Sequence, residues 1–406
     1  MFWKKNPLRQ PADGGEKRIY LDYVASTPVD ADVLKAMMPY FAEDFGNANS
    51  IHQEGAISRV ALDMARKSVA DILNAKSEEI VFTSGGTESN TLAIVGIINS
   101  LEEGGKSLKD LHAVTSTIEH PSVLEVFKAL ERQDLSVTYV DVDETGVVNP
   151  KDVREAIKEN TKLVSIMYVN NEIGTIQPIA EIAKVIRHFR KQKQQNVDVR
   201  RPHLEALYFH TDASQAPLYL PLNTIKLGVD MMTLGGHKMY GPKGVGCLYI
   251  KKGTKINLPK KGTENIPLIV GFAKALELAE ERREREVERV TELRDYFIKE
   301  LKEKISELEL NGSHELRAPN NVNIYIPNID GEFLTVVLDN KGIACSTKSA
   351  CKEDYEDEGS YVIRALGYSK ERSKNSLRLS LGKTSTKKDI DYVVKALSEA
   401  VKKYSN

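Results

Sequence analysis

Apolar residues along this chain fall into two alternating patterns, short continuous runs and longer stretches at helical spacing. Residues 18–23 (RIYLDY), 79–82, 113–116, 163–169, 206–210, 231–233 and 246–250 are short apolar runs bounded by turn residues, and each predicts a strand. Residues 29–41, 57–73 and 87–99 repeat their apolar positions with a helical period and predict helices between the strands. Strands separated by helical patterns of roughly ten to fifteen residues predict an α/β fold, a mainly parallel sheet covered on both faces. Such sheets bind ligands at the carboxyl ends of their strands. Residues 266–305 form one long helical pattern, whose middle at 280–286 (EERRERE) reads as a solvated face laced with ion pairs. That helix leads to a smaller domain with strands at 321–326 and 377–381 and a closing amphipathic helix at 390–404. Pro11, Gly14 and Gly15 break residues 1–17 into a polar lead-in, and 192–202 reads as a basic surface loop.

Composition narrows the class. With 406 residues, 41% of them hydrophobic and 28% charged, the chain can bury a sizeable core. A formal net charge of −1 speaks against a dedicated nucleic-acid binder. Three cysteines (Cys247, Cys345 and Cys351) are too few for a disulfide scaffold and suit a reducing compartment. The first residues lack the apolar stretch of a secretory signal, and no run approaches the ~18 apolar residues of a membrane span. The expectation is a soluble, cytoplasmic protein with no membrane partner and no metal site.

The chemistry concentrates in GGHKMYGPKG at 235–244 and HTDASQ at 210–215. An aspartate at the end of a strand, followed by a lysine among glycines, is what a pyridoxal phosphate enzyme needs. The lysine amine bonds to the cofactor aldehyde, and the carboxylate keeps the pyridine nitrogen protonated so that the ring accepts electrons. These roles fall to Lys238 and Asp212. TSGGTESN at 83–90 opens a helix after a strand, where small residues let amides approach an anion and the Thr87 hydroxyl can donate. His120, in STIEHP at 116–121, can lie on the cofactor ring and carry protons. Asn171, in NNEIG at 170–174, can bind a substrate carboxylate or the phenolic oxygen of the cofactor, and Gln215 can reach that oxygen.

In this order the segments resemble the cysteine desulfurases, pyridoxal phosphate enzymes of aminotransferase class V with the fold type I architecture. The resemblance runs from Tyr20 to Leu381 and includes FGNANSIH at 45–52. It implies a large cofactor-binding domain over 18–265 and a small domain over 266–406 that carries a cysteine loop. It implies covalent attachment of the cofactor to Lys238, a ring-nitrogen partner in Asp212 and stacking with acid/base work by His120. It also implies a phenolic-oxygen contact from Gln215 and phosphate contacts from Gly86, Thr87 and His237, with Thr263 reaching the phosphate of the neighbouring subunit in a homodimer. Cys351 resembles the nucleophile of desulfurases with a long loop, and Arg378 the arginine that clamps the substrate carboxylate. Cys247 and Cys345 read as core positions instead.

Three departures stand out. Lys348 replaces a usual glycine, and acidic residues from Glu353 to Glu358 follow the cysteine where small ones are usual. Gly235 replaces the usual serine of the lysine loop, so one phosphate hydroxyl is missing. The glycine-rich, arginine-containing stretch before Gly262-Thr263-Glu264-Asn265 is also lacking. Either that segment is truly short or residues are absent from the numbering, and the retained context of Thr263 favours the second.

The resemblance therefore implies conversion of L-cysteine to L-alanine, with a persulfide left on Cys351. The sulfur acceptor would be an iron–sulfur scaffold or a tRNA-thiolation protein. The alternatives are a selenocysteine lyase or another pyridoxal phosphate lyase or aminotransferase, and a low-turnover sulfur-relay or scaffold partner.

Overall fold

The computed structural model describes residues 18–193, 206–259, 262–347 and 359–404. The predicted lead-in at 1–17, most of the 192–202 loop, and Lys348, Cys351 and the acidic run after it lie outside these residues. The chain divides into two compact units: Ser26–Asn171 with Thr175–Glu284, and Met1–Ala25 with Glu172–Gly174 and Arg285–Asn406.

The first unit is built on a seven-stranded sheet. Its strands are β2 (Ile80–Thr83), β3 (His112–Ser116), β4 (Ser136–Val140), β5 (Thr161–Ser165), β6 (Tyr208–Asp212), β7 (Met231–Gly235) and β8 (Gly246–Ile250). They lie in the order β2-β8-β7-β6-β5-β3-β4, and β8 alone runs antiparallel to its neighbours. The mainly parallel sheet read from the alternating pattern is therefore present. Helix Gly86–Glu103 buries Ala93, Ile94, Ile97, Ile98 and Leu101, one stripe at helical spacing. This stripe shares a core with Val123, Phe127 and Leu130 of helix Pro121–Glu131 and with Ala113, Leu163 and Leu248 of the sheet. Each such side chain contributes about 1.5–3 kcal/mol by leaving water.

Strand 163–169 of the sequence reading starts earlier and stops at Ser165. The Met167 amide is taken by the buried carboxylate of Glu119, at 2.8 Å, so ladder pairing toward β3 ends there. The chain still bonds to β6 beyond that point, through Ile166 N–H to the His210 carbonyl and Tyr168 N–H to that of Asp212. After β8, Asn257 N–H donates to the Gly96 carbonyl at 2.9 Å. A Cβ on Gly96 would stand 2.6 Å from Ile256 and 2.7 Å from the Asn257 carbonyl, so this glycine lets residues 256–257 lie directly on helix Gly86–Glu103. Lys260 and Lys261, on which the expectation of absent residues before Gly262 falls, lie outside the described residues.

In the second unit β9 (Glu309–Leu310), β10 (Asn321–Tyr325) and β12 (Ser376–Ser380) form an antiparallel sheet, with β10 in the middle. β1 (Ile19–Tyr20) and β11 (Ile343–Ala344) pair in parallel. The strand expected over 18–23 is shorter, because beyond Tyr20 the chain turns to make a single bridge from Asp22 to Ser380. Helix Lys387–Tyr404 buries Ile390, Val393, Val394, Leu397 and Ala400. Arg317 is buried and donates to the carbonyls of Ser313 at 2.7 Å and Ile173 at 2.9 Å, to Asn321 Oδ1 at 3.0 Å, and to the Asn311 carbonyl. Asn321 and Asn323 both donate to the Glu172 carbonyl, and Ser360 donates to its carboxylate. Residues 172–174 are thus fixed immediately after Asn171.

Candidate active site

β2, β3, β6 and β7 run parallel, and the chain leaves their carboxyl ends into the segments singled out above. Beyond Thr83, Ser84 donates from both its amide and its hydroxyl to Glu88, at 2.5 and 2.7 Å, which closes the first turn of helix Gly86–Glu103. The amides of Gly86 and Thr87 lie in that first turn, where no intrahelical acceptor exists and the helix dipole is positive. Gly246 of β8 pairs with Thr83 on one side and Gly235 on the other. A Cβ on Gly246 would stand 2.6 Å from the Gly85 carbonyl carbon, so a glycine there lets the turn rest on the sheet. At Gly235 the situation is the reverse. A Cβ there would be 3.8 Å from each of Gly86 N, His237 Cε1 and Ser214 Oγ. An amide, an imidazole and a hydroxyl thus surround one small space, and their chemistry suits a phosphate.

Asp212 closes β6. Its Oδ1 accepts from Ser214 N–H at 2.9 Å and its Oδ2 from Asn90 Nδ2 at 2.7 Å. Both donors are neutral, which leaves lone pairs for a protonated ring nitrogen. Asn90 Nδ2 also donates to Ser122 Oγ at 2.9 Å, and Ser122 Oγ lies 2.8 Å from His120 Nδ1. Burial pushes the His120 imidazole below its ordinary range, opposed by the Asp212 charge and assisted by that of Lys238. Next to it, burial raises the Glu119 carboxyl to about 8, against hydrogen bonds from Ser116 and Met167.

Lys238 ends a single turn, Gly236–Lys238, directly after β7. Thr27 clamps this turn. Its amide and hydroxyl donate to the His237 carbonyl at 2.9 and 3.0 Å, and its hydroxyl oxygen accepts from Tyr240 N–H at 2.7 Å. Tyr240 takes a left-handed φ of 62°, a conformation costing about 1–2 kcal/mol that these bonds offset. The His237 imidazole is pushed down to about 4, first by burial and then by the charges of Lys238 and Lys243. Lys238 also acts on His120, which places its charge near both rings.

The other candidates are placed as follows. Gln215 lies in the turn after Asp212, and Asn171 is buried at the end of its segment. Thr263 is exposed on the bend before helix Ile266–Lys304, beside Glu264, which accepts from Asn49 of the 45–52 segment at 3.4 Å. In the other unit Arg378 is buried on β12 and paired with Asp22 at 2.9 Å. Cys247 is buried within β8 as expected. Cys345 is only part-buried, and burial still raises its thiol to about 12, far from a thiolate at neutral pH. The sequence reading did not single out Thr27, Asn90, Ser122 or Ser214. Each is a small polar residue whose partner lies far along the chain or across a turn; Asn90 and Ser214 fall within the motifs at 83–90 and 210–215, but nothing in those motifs shows which partner each would meet.

Residues 19–261 and 258–393 match the family model described as aminotransferase class-V. The two parts of the match meet at the shortened segment. A cysteine desulfurase IscS of Dictyoglomus turgidum is 42% identical over 398 residues, covering 96% of this chain and 95% of that protein. A cysteine desulfurase IscS of Methanosarcina thermophila is 44% identical over 400 residues, covering 96% and 93%. Among solved structures, a NifS-like protein superimposes with a TM-score of 0.84 at 32% identity, covering 95% of this chain and 99% of that one.

Proposed function

This chain belongs to the aminotransferase class-V family, and on that premise we propose that it is a pyridoxal phosphate-dependent cysteine desulfurase that leaves a persulfide on Cys351. The cofactor's chemical groups match the residues present. The space beside Gly235, ringed by an amide, a hydroxyl and an imidazole, suits its phosphate. The Asp212 carboxylate, with two neutral donors, suits a protonated ring nitrogen. Gly86, Thr87, Ser214 and His237 would hold the phosphate, Gln215 the phenolic oxygen and Lys238 the aldehyde. Thr263 would reach the phosphate of a second protomer.

Bound there, pyridoxal phosphate supplies an aldehyde that bonds to amines and a ring that draws electrons from the carbon beside them. The protein does the rest. Asp212 keeps the ring nitrogen protonated, and the Lys238 amine takes the Cα proton of the substrate. Arg378 would hold the substrate carboxylate, a role Asn171 would share. The Cys351 thiolate attacks the substrate sulfur, so that an S–S bond forms while the Cβ–S bond breaks and its electron pair stays with the three-carbon fragment. The balance is L-cysteine plus one thiol giving L-alanine plus one persulfide. A sulfur-acceptor protein, serving iron–sulfur cluster assembly or tRNA thiolation, then collects the sulfur.

The observation that carries this reading is the gathering of the phosphate space, the Asp212 carboxylate and the Lys238 turn at the ends of β2, β6 and β7. A homodimer is part of the proposal. Leu34, Met38, Phe41, Phe45, Ile51 and Met64 each expose half or more of their surface, apolar side chains that a second protomer would cover. A cytoplasmic location agrees with the three cysteines, and no helix among the described residues is long and apolar enough to cross a membrane. The test is alanine formation from L-cysteine with a reductant, in wild type and Cys351→Ser. Alanine from wild type and none from the variant is the expected result. Equal sulfide release by both proteins would favour a lyase and overturn the role of Cys351.

A further inference from the structure

We infer that Glu119 and Asn170 are positioning residues, which fasten the turn carrying His120 to the segment carrying Asn171 and so present the imidazole and the amide as one piece. The inference deepens the proposed function and rests on it for the roles of His120 and Asn171.

The argument begins where β3 ends. After Ser116 the chain leaves the sheet, while the segment that follows β5 continues beside β6. The amides of Ile166 and Tyr168 donate to the His210 and Asp212 carbonyls of β6, at 3.1 and 2.8 Å. The Met167 amide, between them, turns to the side on which β3 has ended, and Glu119 Oε1 accepts from it at 2.8 Å. The same oxygen accepts from Ser116 Oγ at 2.6 Å, which ties the carboxyl to the last residue of β3. One side chain thus completes the ladder where the strand is missing. Met167 and Glu119 are both buried, so without that oxygen the Met167 N–H would lose its acceptor in a place where water does not replace it.

A second bond closes the join. A carbonyl only accepts, so the Asn170 side-chain atom 2.9 Å from the Ile118 carbonyl is the NH2 nitrogen. The Asn170 backbone is held in turn by its N–H, which donates to the Thr175 carbonyl at 3.0 Å. The two bonds cross one gap from opposite sides. Glu119 reaches from the His120 turn to Met167, and Asn170 reaches back from the Asn171 segment to Ile118. Each stands one residue before the side chain it serves, and two crossings fix a rotation that one would leave free. On its other side the turn is anchored by Thr117 N–H, which donates to the Val140 carbonyl at 3.0 Å. Burial raises the Glu119 carboxyl to about 8, so it is mainly uncharged at neutral pH, and an amide of the same shape can replace it as acceptor. Neither residue needs to touch cofactor or substrate to act in this way.

The test uses the purified full chain with bound pyridoxal phosphate, labelled with 15N-histidine, and His120 is assigned by the signals lost in His120→Gln. Glu119→Ala should shift or broaden the ring signals of His120. Glu119→Gln keeps the acceptor and should leave them near their wild-type positions. Unmoved His120 signals in a folded Glu119→Ala protein would overturn the inference, and so would a Glu119→Gln protein as disturbed as Glu119→Ala. If Glu119→Ala does not fold, Asn170→Ala, which removes the bond to Ile118, is read in the same way. Alanine formation from L-cysteine supplies a second reading. Glu119→Ala should lower kcat about a hundredfold, the loss expected for a misplacement of about 1 Å. In a His120→Ala background it should cost almost nothing further, because the residue it acts through is gone. A double variant slower by the product of the two single losses would mark a merely structural role and overturn the inference. A chain whose His120 signals respond as stated but which makes no alanine would overturn the proposed function and leave the positioning role standing.

Discussion

Ser214→Ala offers a measure of how the phosphate space is built. Its hydroxyl oxygen stands 3.0 Å from where a Cβ of Gly86 would be and 3.8 Å from where one of Gly235 would be, so it shares that space with the first amides of helix Gly86–Glu103 and the His237 ring. A hydrogen bond to a charged phosphate is worth about 1.5–3 kcal/mol net. At about 1.4 kcal/mol per factor of ten, Ser214→Ala should weaken cofactor binding roughly 10- to 150-fold. The site also allows a compensating change. Gly235 has an extended backbone, φ −120° and ψ 126°, and a Cβ there meets nothing closer than 3.8 Å. Gly235→Ser should therefore fit without strain and, in the Ser214→Ala background, restore much of the lost affinity from the opposite wall. Titrating the apoprotein with pyridoxal phosphate and following its absorbance gives the dissociation constant of each variant. A folded Ser214→Ala protein that binds the cofactor as tightly as wild type refutes the reasoning. So does a folded double variant no better than Ser214→Ala alone.

Other outcomes follow from the same geometry. Asp212→Asn should keep the cofactor bound while alanine formation slows by about 10²–10³-fold, since a neutral amide does not hold the ring nitrogen protonated; near-normal turnover would remove Asp212 from that role. The raised pKa of Glu119, about 8 in the folded protein, makes it a proton-holding group whose contribution to stability is full below the ordinary carboxyl range and lost as pH rises through 8. Glu119→Gln should abolish that loss, on the order of a few kcal/mol, and urea unfolding followed from mildly acidic pH, near the ordinary carboxyl value, up past 8 should show wild type weakening relative to the variant across that window; parallel curves would contradict it. Arg317→Met strips four oxygen acceptors of their donor in a buried place and should destabilise the fold, at about 1–3 kcal/mol for each acceptor that finds no other donor. A thermal midpoint within a degree or two of wild type would show that water or rearrangement supplies those bonds.

The mainly parallel sheet was legible because its strands are apolar on both faces and separated by helical patterns. The run at 246–250 matches β8, and the long pattern at 266–305 appears as helix Ile266–Lys304. β4 was missed because Ser136–Val140 is an edge strand whose residues stay mostly part-exposed, so it lacks the continuous apolar run of its neighbours. Helix Ile179–Lys193 was also missed, its polar residues masking the stripe of Ile179, Ile182, Ala183 and Ile186 that faces inward. The positions of Asp212, His120 and Lys238 could be read because each follows a strand, where sequence order alone brings residues to one edge of a parallel sheet. Asn90 could not be read that way. It stands a full turn inside a helix, and its importance comes from partners 32 and 122 residues away.

Gly246 pairs with Thr83 and Gly235 at once, so three strand ends stand level in one row. At about 4.8 Å between neighbouring strands, that row sets the two outer ends roughly 10 Å apart whatever side chains they carry. A slip of one residue in either pairing would turn every buried side chain of the strand to the wrong face, so the row resists drift. Its dimensions belong to the backbone. A hydroxyl supplied from either wall would face the same space, and the Ser214→Ala/Gly235→Ser pair tests whether one can stand in for the other. Descendants of such a fold can exchange individual anion-binding side chains one at a time and keep their ligand throughout, which makes the list of contacting residues a poorer record of ancestry than the register that holds them.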